Sequence, residues 1–403
     1  MSTESGTPDD DLPTMECARC EMAVPAGDFC GWCGDYLDGS KSKGPAWLRI
    51  KSFSASAGEH LLTPNIASSL FPQLPARSRR VFLIGLGLVL TALIAAALFR
   101  LPGALITVAA LGLPLLFLIY LQEADVHRDI PSATLVLTAA LGIALGVGWV
   151  LLTGAAVAKS YGVPLGAGIT GGRLLRDGLG VPVGGMLLML VPAALVRLIR
   201  PGPKEALDGF ALGALGALMF TGAATLTRLA PQFAGGMVAR ARPMEGLLVE
   251  AGIRGIAVPL TAACVGGLVG TALWFTRPTS RKGHGRNYIR MILGGMAVVV
   301  IAVYALLGLV DVARIPQLLQ LVVHLTMTAI ALLALRVGVH LALLYQDYDE
   351  VHEHEPILCP QCGHVVPDMA FCVACGASTR AASRSSRQAR RDIRPVRTEA
   401  GEA

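Results

Sequence analysis

Eight long apolar stretches run through the chain, at about 81–99, 103–121, 132–157, 181–199, 206–227, 247–275, 289–310 and 317–344. Wound as helices, stretches of roughly 20 apolar residues match a hydrocarbon core of about 30 Å. They predict an all-α polytopic membrane bundle of about eight transmembrane helices. Composition agrees, since only 15% of the 403 residues are charged, against about a quarter in a soluble domain. The charges crowd into both ends and a few short loops. The first 80 residues are polar and hold no hydrophobic run behind a basic start, so the first span is expected to act as its own insertion signal.

Two cysteine frames of one spacing flank this body. Cys17, Cys20, Cys30 and Cys33 form the first, and Cys359, Cys362, Cys372 and Cys375 the second. Both read C-x2-C-x3-V-P-x3-F-C-x2-C-G, so Val24, Pro25, Phe29 and Gly34 correspond to Val366, Pro367, Phe371 and Gly376. Paired C-x2-C knuckles in a reducing compartment read as tetrahedral zinc sites, whereas in an oxidising compartment the same cysteines would form disulfides. The expectation is two small four-cysteine zinc ribbons holding two structural Zn2+ ions. Four thiolates leave no open coordination position, which argues against catalytic zinc. Modules this small lack a self-sufficient core, so metal binding and folding are one event. The ninth cysteine, Cys264, lies in an apolar span and reads as a small buried residue.

Around these features the chain divides into six segments. Residues 1–40 are an acidic head with nine Asp or Glu against Arg19, and contain the first ribbon (Cys17 to Cys33). A Ser/Pro-rich linker, 41–80, reads as a headgroup-level approach to the membrane with no fold of its own. The transmembrane domain covers 81–345, followed by an acidic linker (346–356), the second ribbon (357–379) and an Arg-rich tail (380–403) expected to be disordered. Lys and Arg counts in the short loops moderately favour a cytoplasmic N-terminus. An even span count then returns the C-terminus to the cytoplasmic side, giving a multi-pass protein of the cytoplasmic (inner) membrane. Gly142 with Gly146, Gly209 with Gly213, and Gly266 with Gly270 are spaced for close helix packing, within the bundle or in a homo-oligomer.

Few groups in the spans carry chemistry. Glu250 and Arg254 are one helical turn apart and can pair. His324 and His340 share a helix but stand about 24 Å apart, too far to ligate one metal. Gly166, Gly168 and Gly171 make G-x-G-x-x-G, yet follow a membrane span where a dinucleotide site needs a strand. His352 and His354 among Glu350, Glu353 and Glu355 read as a solvated acidic linker. The ribbons lack the basic face that nucleic acid requires, so the expected partners are membrane lipid and proteins docked on the ribbons. The arginine tail is expected to lie on anionic headgroups or attract the acidic head.

The middle of the chain, about 115–275, resembles the PrsW family of intramembrane metalloproteases. The matching pieces are Tyr120-Leu121 with Asp125, Asp129 and Pro131, the V-P-A-A-L-V-R-L-I run at 191–199, Asp208-Gly209-Phe210, and G-I-R-G-I-A-V-P-L-T-A-A-C at 252–264. The resemblance implies an active site of P-x-x-E-E, G-F-x-x-x-E-N and P-x-x-H. Here Pro192 is kept, but Leu195 and Val196 replace the paired glutamates. The third glutamate falls near Phe220 or Thr221, and the histidine after Pro259 falls at Ala262. The resemblance therefore implies a degenerate scaffold, a pseudoenzyme with no catalytic residues. An active protease using other ligands, such as Glu250 and His324, and a transporter are the alternatives.

Overall fold

The computed structural model describes residues 13–39, 45, 48–50, 52–72, 74–160, 176–199, 205–235, 243–275, 286–312, 315–346 and 351–394. The G-x-G-x-x-G run at 166–171 and the extreme ends of the head and tail lie outside them. Among the described residues, eight helices are long and apolar enough to cross a membrane. The order of helices, the spans with shorter ones between them, is α1 (Ile66–Leu70), too short to span, then α2 (Ala76–Leu98), α3 (Pro102–Glu123), the single turn α4 (Val126–Asp129) and α5 (Ser132–Ser160). Next come α6 (Val181–Ile199), α7 (Ala206–Leu229), α8 (Met244–Glu250), α9 (Val258–Trp274), α10 (Arg286–Val312) and α11 (Gln317–Tyr345). A π-helical turn, Ala251–Ala257, joins α8 to α9 as one span.

At the centre α7 and α9 run antiparallel in backbone contact. A Cβ placed on Gly213 or Gly266 would collide with the opposing backbone, and one on Gly209 would meet Gly270 carbon at 2.8 Å. A Cβ on Gly142 would lie 2.7 Å from Gly216 oxygen, and one on Gly146 3.3 Å from Ala223 Cβ. All three glycine pairs thus serve packing inside one chain, where small residues let apolar helices approach closely.

The linker is not the loose approach expected of it. Phe53, Leu61, Leu70, Phe71 and Leu74 are buried with the bundle core. His340 on α11 accepts a hydrogen bond from Ser54 N–H at Nδ1 (3.1 Å) and donates from Nε2 to Leu48 oxygen (2.8 Å). Apart from the single short helix α1, the linker is irregular, and its backbone groups are satisfied partly within it, as Phe53 N–H to Glu59 oxygen at 2.8 Å, and partly by α11 side chains.

The tail also differs from expectation. Helix α12 (Arg384–Asp392) is capped by Ser383, which accepts from Ser386 N–H. Its N-terminal Arg384 and Ser385 amides donate to Asp129 at 2.6 and 2.9 Å. Arg384 reaches Asp208 at 3.0 Å, and buried Arg387 reaches Glu205 Oε2 at 3.2 Å. Glu205 and Asp208 form the capping box of α7. Arg391 and Arg394 bind Asp368 of the second ribbon, at 2.8 and 3.4 Å, and Arg394 also pairs with Glu355. A polar segment has no apolar face to order it, but carboxylates far away in sequence supply partners for its cations and its helix N-terminus.

Candidate metal centres

Each ribbon is built from one antiparallel hairpin and two knuckles. The first hairpin pairs β1 (Thr14–Glu16) with β2 (Ala23–Pro25); the second pairs β3 (His352–Leu358) with β4 (Val365–Asp368). β3 therefore begins inside the segment read as an acidic linker, and His352 faces Asp368 at 4.0 Å. In every knuckle the residue after the second cysteine turns its amide back to the first. Glu21 N–H donates to Cys17 oxygen at 2.9 Å, Gly34 to Cys30 at 2.8 Å, Gly363 to Cys359 at 2.9 Å and Gly376 to Cys372 at 2.8 Å. That return requires positive φ: 55° at Glu21, 71° at Gly34, 75° at Gly363 and 71° at Gly376. Three of the four positions are glycine, which adopts this region without Cβ strain.

The turns gather four sulfurs at each end, all within 4.8 Å of one another. Cys17–Cys33 and Cys20–Cys30 are 3.7 Å apart. Cys359–Cys375 and Cys362–Cys372 are 3.8 Å apart. A tetrahedral ion with metal–sulfur bonds of about 2.3 Å needs sulfur–sulfur edges of about 3.8 Å. Both groups fit, so each could hold one metal ion.

Electrostatics points the same way. Its hydrogen bond with Cys30 lowers Cys33 to about 5, while the same bond pushes Cys30 up. Contacts with Cys372 and Cys375 lower Cys359 to about 2, while the Cys359 contact, with Cys372, drives Cys375 up. Four crowded thiols cannot all ionise unaided, and a cation removes the conflict. Arg49 acts on Cys33 through its charge, and Arg390, lowered to about 10 by burial, lies beside Cys359. These cations offset the negative charge that four thiolates leave on a divalent ion.

The ribbons also pack on each other. Phe29 N–H donates to Val373 oxygen at 2.9 Å, and Phe371 N–H donates to Gly31 oxygen at 2.8 Å. Phe371 and Val373 are the counterparts of Phe29 and Gly31 in the repeat, so the two bonds exchange under a pseudo-two-fold, as in an isologous dimer. A Cβ on Gly34 would stand 2.6 Å from the Phe371 ring, and one on Gly376 would stand 2.6 Å from the Phe29 ring. Phe371 packs in turn against Leu344 at the end of α11. The two ribbons therefore meet at one end of the bundle. The repeat's shared phenylalanine and glycine, neither of them a metal ligand, were the sequence signal for this face.

Of the positions suggested by the family resemblance, Val196, Phe220 and Ala262 are buried in the main apolar core. Pro192 lies against Gly216, and Gly213 against Gly266. Phe220 and Thr221 line the large cavity between α6, α7, the π turn and α11. Glu250 and His324 do line that same cavity, and Glu250 pairs with Arg254 at 3.4 Å. Among the described residues only the two cysteine tetrads form groups able to hold a metal. No protein-family model, curated protein or solved structure matches the chain.

Proposed function

We propose that the chain is a non-catalytic membrane protein whose paired ribbons, each holding one Zn2+, form a cytoplasmic cap that docks a protein partner. The observation that carries the reading is the reciprocal pairing of Phe29 with Val373 and of Phe371 with Gly31. It consumes one face of each ribbon and joins the chain ends, so metal loading of either ribbon supports the other. The cap also covers the linker: Ser378 N–H donates to Ser54 oxygen at 2.8 Å, and Arg79 reaches Gln361 at 3.0 Å. The remaining outer face of the first ribbon exposes Glu16, Glu21, Asp28 and Asp38 beside Met15 and Met22. An acidic face with exposed thioethers suits a basic, apolar protein segment and repels nucleic acid.

The metal content tests the reading. Two zinc ions per chain are expected, both lost when Cys17 and Cys359 are replaced by serine. A third metal surviving those replacements would favour the protease alternative, since catalytic zinc takes three protein ligands and Glu250 with His324 supplies two. The degenerate PrsW-like ancestry is part of the proposal only as an origin for the bundle, and the cap reading stands without it.

A further inference from the structure

The far end of the bundle holds a cavity of about 800 Å³, within the ~300–1,000 Å³ usual for small-molecule sites. Helix α7 starts at Glu205 beside the tail helix, so its other end, with Arg228, faces away from the ribbons. Met186, Met189 and Phe220 form an apolar floor, buried within the spans. Arg228, Gln232 and Gln317 line the rim, and Arg228 lies about 10 Å along the helix from Thr221. Two guanidiniums, Arg228 and Arg254, stand against one carboxylate, Glu250, among the described lining residues.

The wall between rim and floor is built irregularly. The π turn Ala251–Ala257 widens the helix there, a feature concentrated at functional sites. Ala257 oxygen is covered by two hydroxyls, Thr261 at 2.7 Å and Thr328 at 3.3 Å, which bond each other at 2.9 Å. A deep apolar floor beneath a cationic amide-rich rim, inside membrane spans, is complementary to a molecule with an acyl chain and a negative head. We propose that this cavity binds one anionic lipid, its chain on the Met186–Met189 floor and its headgroup at Arg228.

The test uses the full-length protein, stripped of lipid in detergent and titrated with phosphatidylglycerol or phosphatidylcholine of equal chain length. Bound lipids are counted by native mass spectrometry. One phosphatidylglycerol per chain should saturate at about tenfold lower concentration than phosphatidylcholine, as a charge-assisted contact warrants. Arg228→Gln, at an exposed position, should bring the two lipids level, and Ala224→Leu, which fills the cavity, should abolish the saturable site. Unchanged unfolding temperatures would show that both variants fold; should Ala224→Leu not fold, Arg228→Gln alone decides. Equal binding of the two lipids, or a preference untouched by Arg228→Gln, would overturn the proposal. Displacement of the bound lipid by inorganic phosphate would assign the rim to a soluble anion and overturn it equally.

Discussion

Arg336, with no exposed surface, donates from Nη2 to Glu59 Oε2 at 2.8 Å, tying α11 to a linker almost 280 positions earlier in the sequence. Its other donors reach Leu61 oxygen at 2.9 Å and Ser68 Oγ at 2.7 Å, and the guanidinium lies 3.8 Å from the centre of the Phe53 ring. The linker is thus a ring of acceptors around one buried cation.

Removing the carboxylate should be costly. Glu59→Gln leaves a buried guanidinium without its counter-ion, worth about 3 kcal/mol, the low end for broken buried pairs because Glu59 keeps some solvent contact. Burial pushes the Glu59 pKa up, but hydrogen bonds from Ser68 and Arg336 outweigh it and hold the carboxylate below its usual value. A depressed folded-state pKa contributes stability above the unfolded value, about 4.3, and loses it as pH falls through the folded one. The unfolding temperature of solubilised protein should drop on acidification below that range. The drop should be shallower in Glu59→Gln.

The tail helix should resist protease while its carboxylate partners stand. Arg387 and Glu205 are nearly buried, with side chains 5% and 11% exposed, so salt screens them weakly. Replacing Glu205 with Gln and Asp208 with Asn should expose the arginines to trypsin. Cleavage within 384–394 is expected to rise by about tenfold or more, equivalent to ~1.4 kcal/mol of local opening. An unchanged cleavage rate would mean that the helix is held by something else.

Glycines of the knuckles should separate into two classes. Gly363 has positive φ but nothing near its missing side chain, so Gly363→Ala should cost about 1 kcal/mol through backbone strain alone. Gly376 has the same φ and the Phe29 ring against it. Gly376→Ala should therefore also part the ribbons, and thermal release of metal from both frames should move to lower temperature. Equal behaviour of the two variants would remove the inter-ribbon contact from the account.

Much of this architecture was legible because its causes are local. Apolar runs of span length announced the eight helices, and the C-x2-C spacing announced both tetrads. The linker and tail were illegible for the opposite reason. Leu61, Phe71 and Leu74 follow no helical or strand period, and their burial depends on the surfaces of α3 and α11. Helix α12 has favourable helix formers and a Ser383 cap but almost no apolar surface, so nothing in it announces docking; Asp129, Glu205 and Asp208 supply the partners. Pairing of distant charges leaves no periodic trace in a single sequence. Glu250 and His324 came to one cavity only through the packing of the π turn against α11.

The central claim is that two metal-loaded ribbons from opposite chain ends hold each other. Hydrogen exchange at the Phe29 amide tests it most directly, because that amide donates across the interface to Val373 oxygen. In Cys359→Ser, which disables only the second tetrad, Phe29 exchange should accelerate while the Gly34 amide, bonded inside the first ribbon to Cys30 oxygen, stays protected. A Phe29 amide that remains protected after loss of the second metal would contradict the pairing.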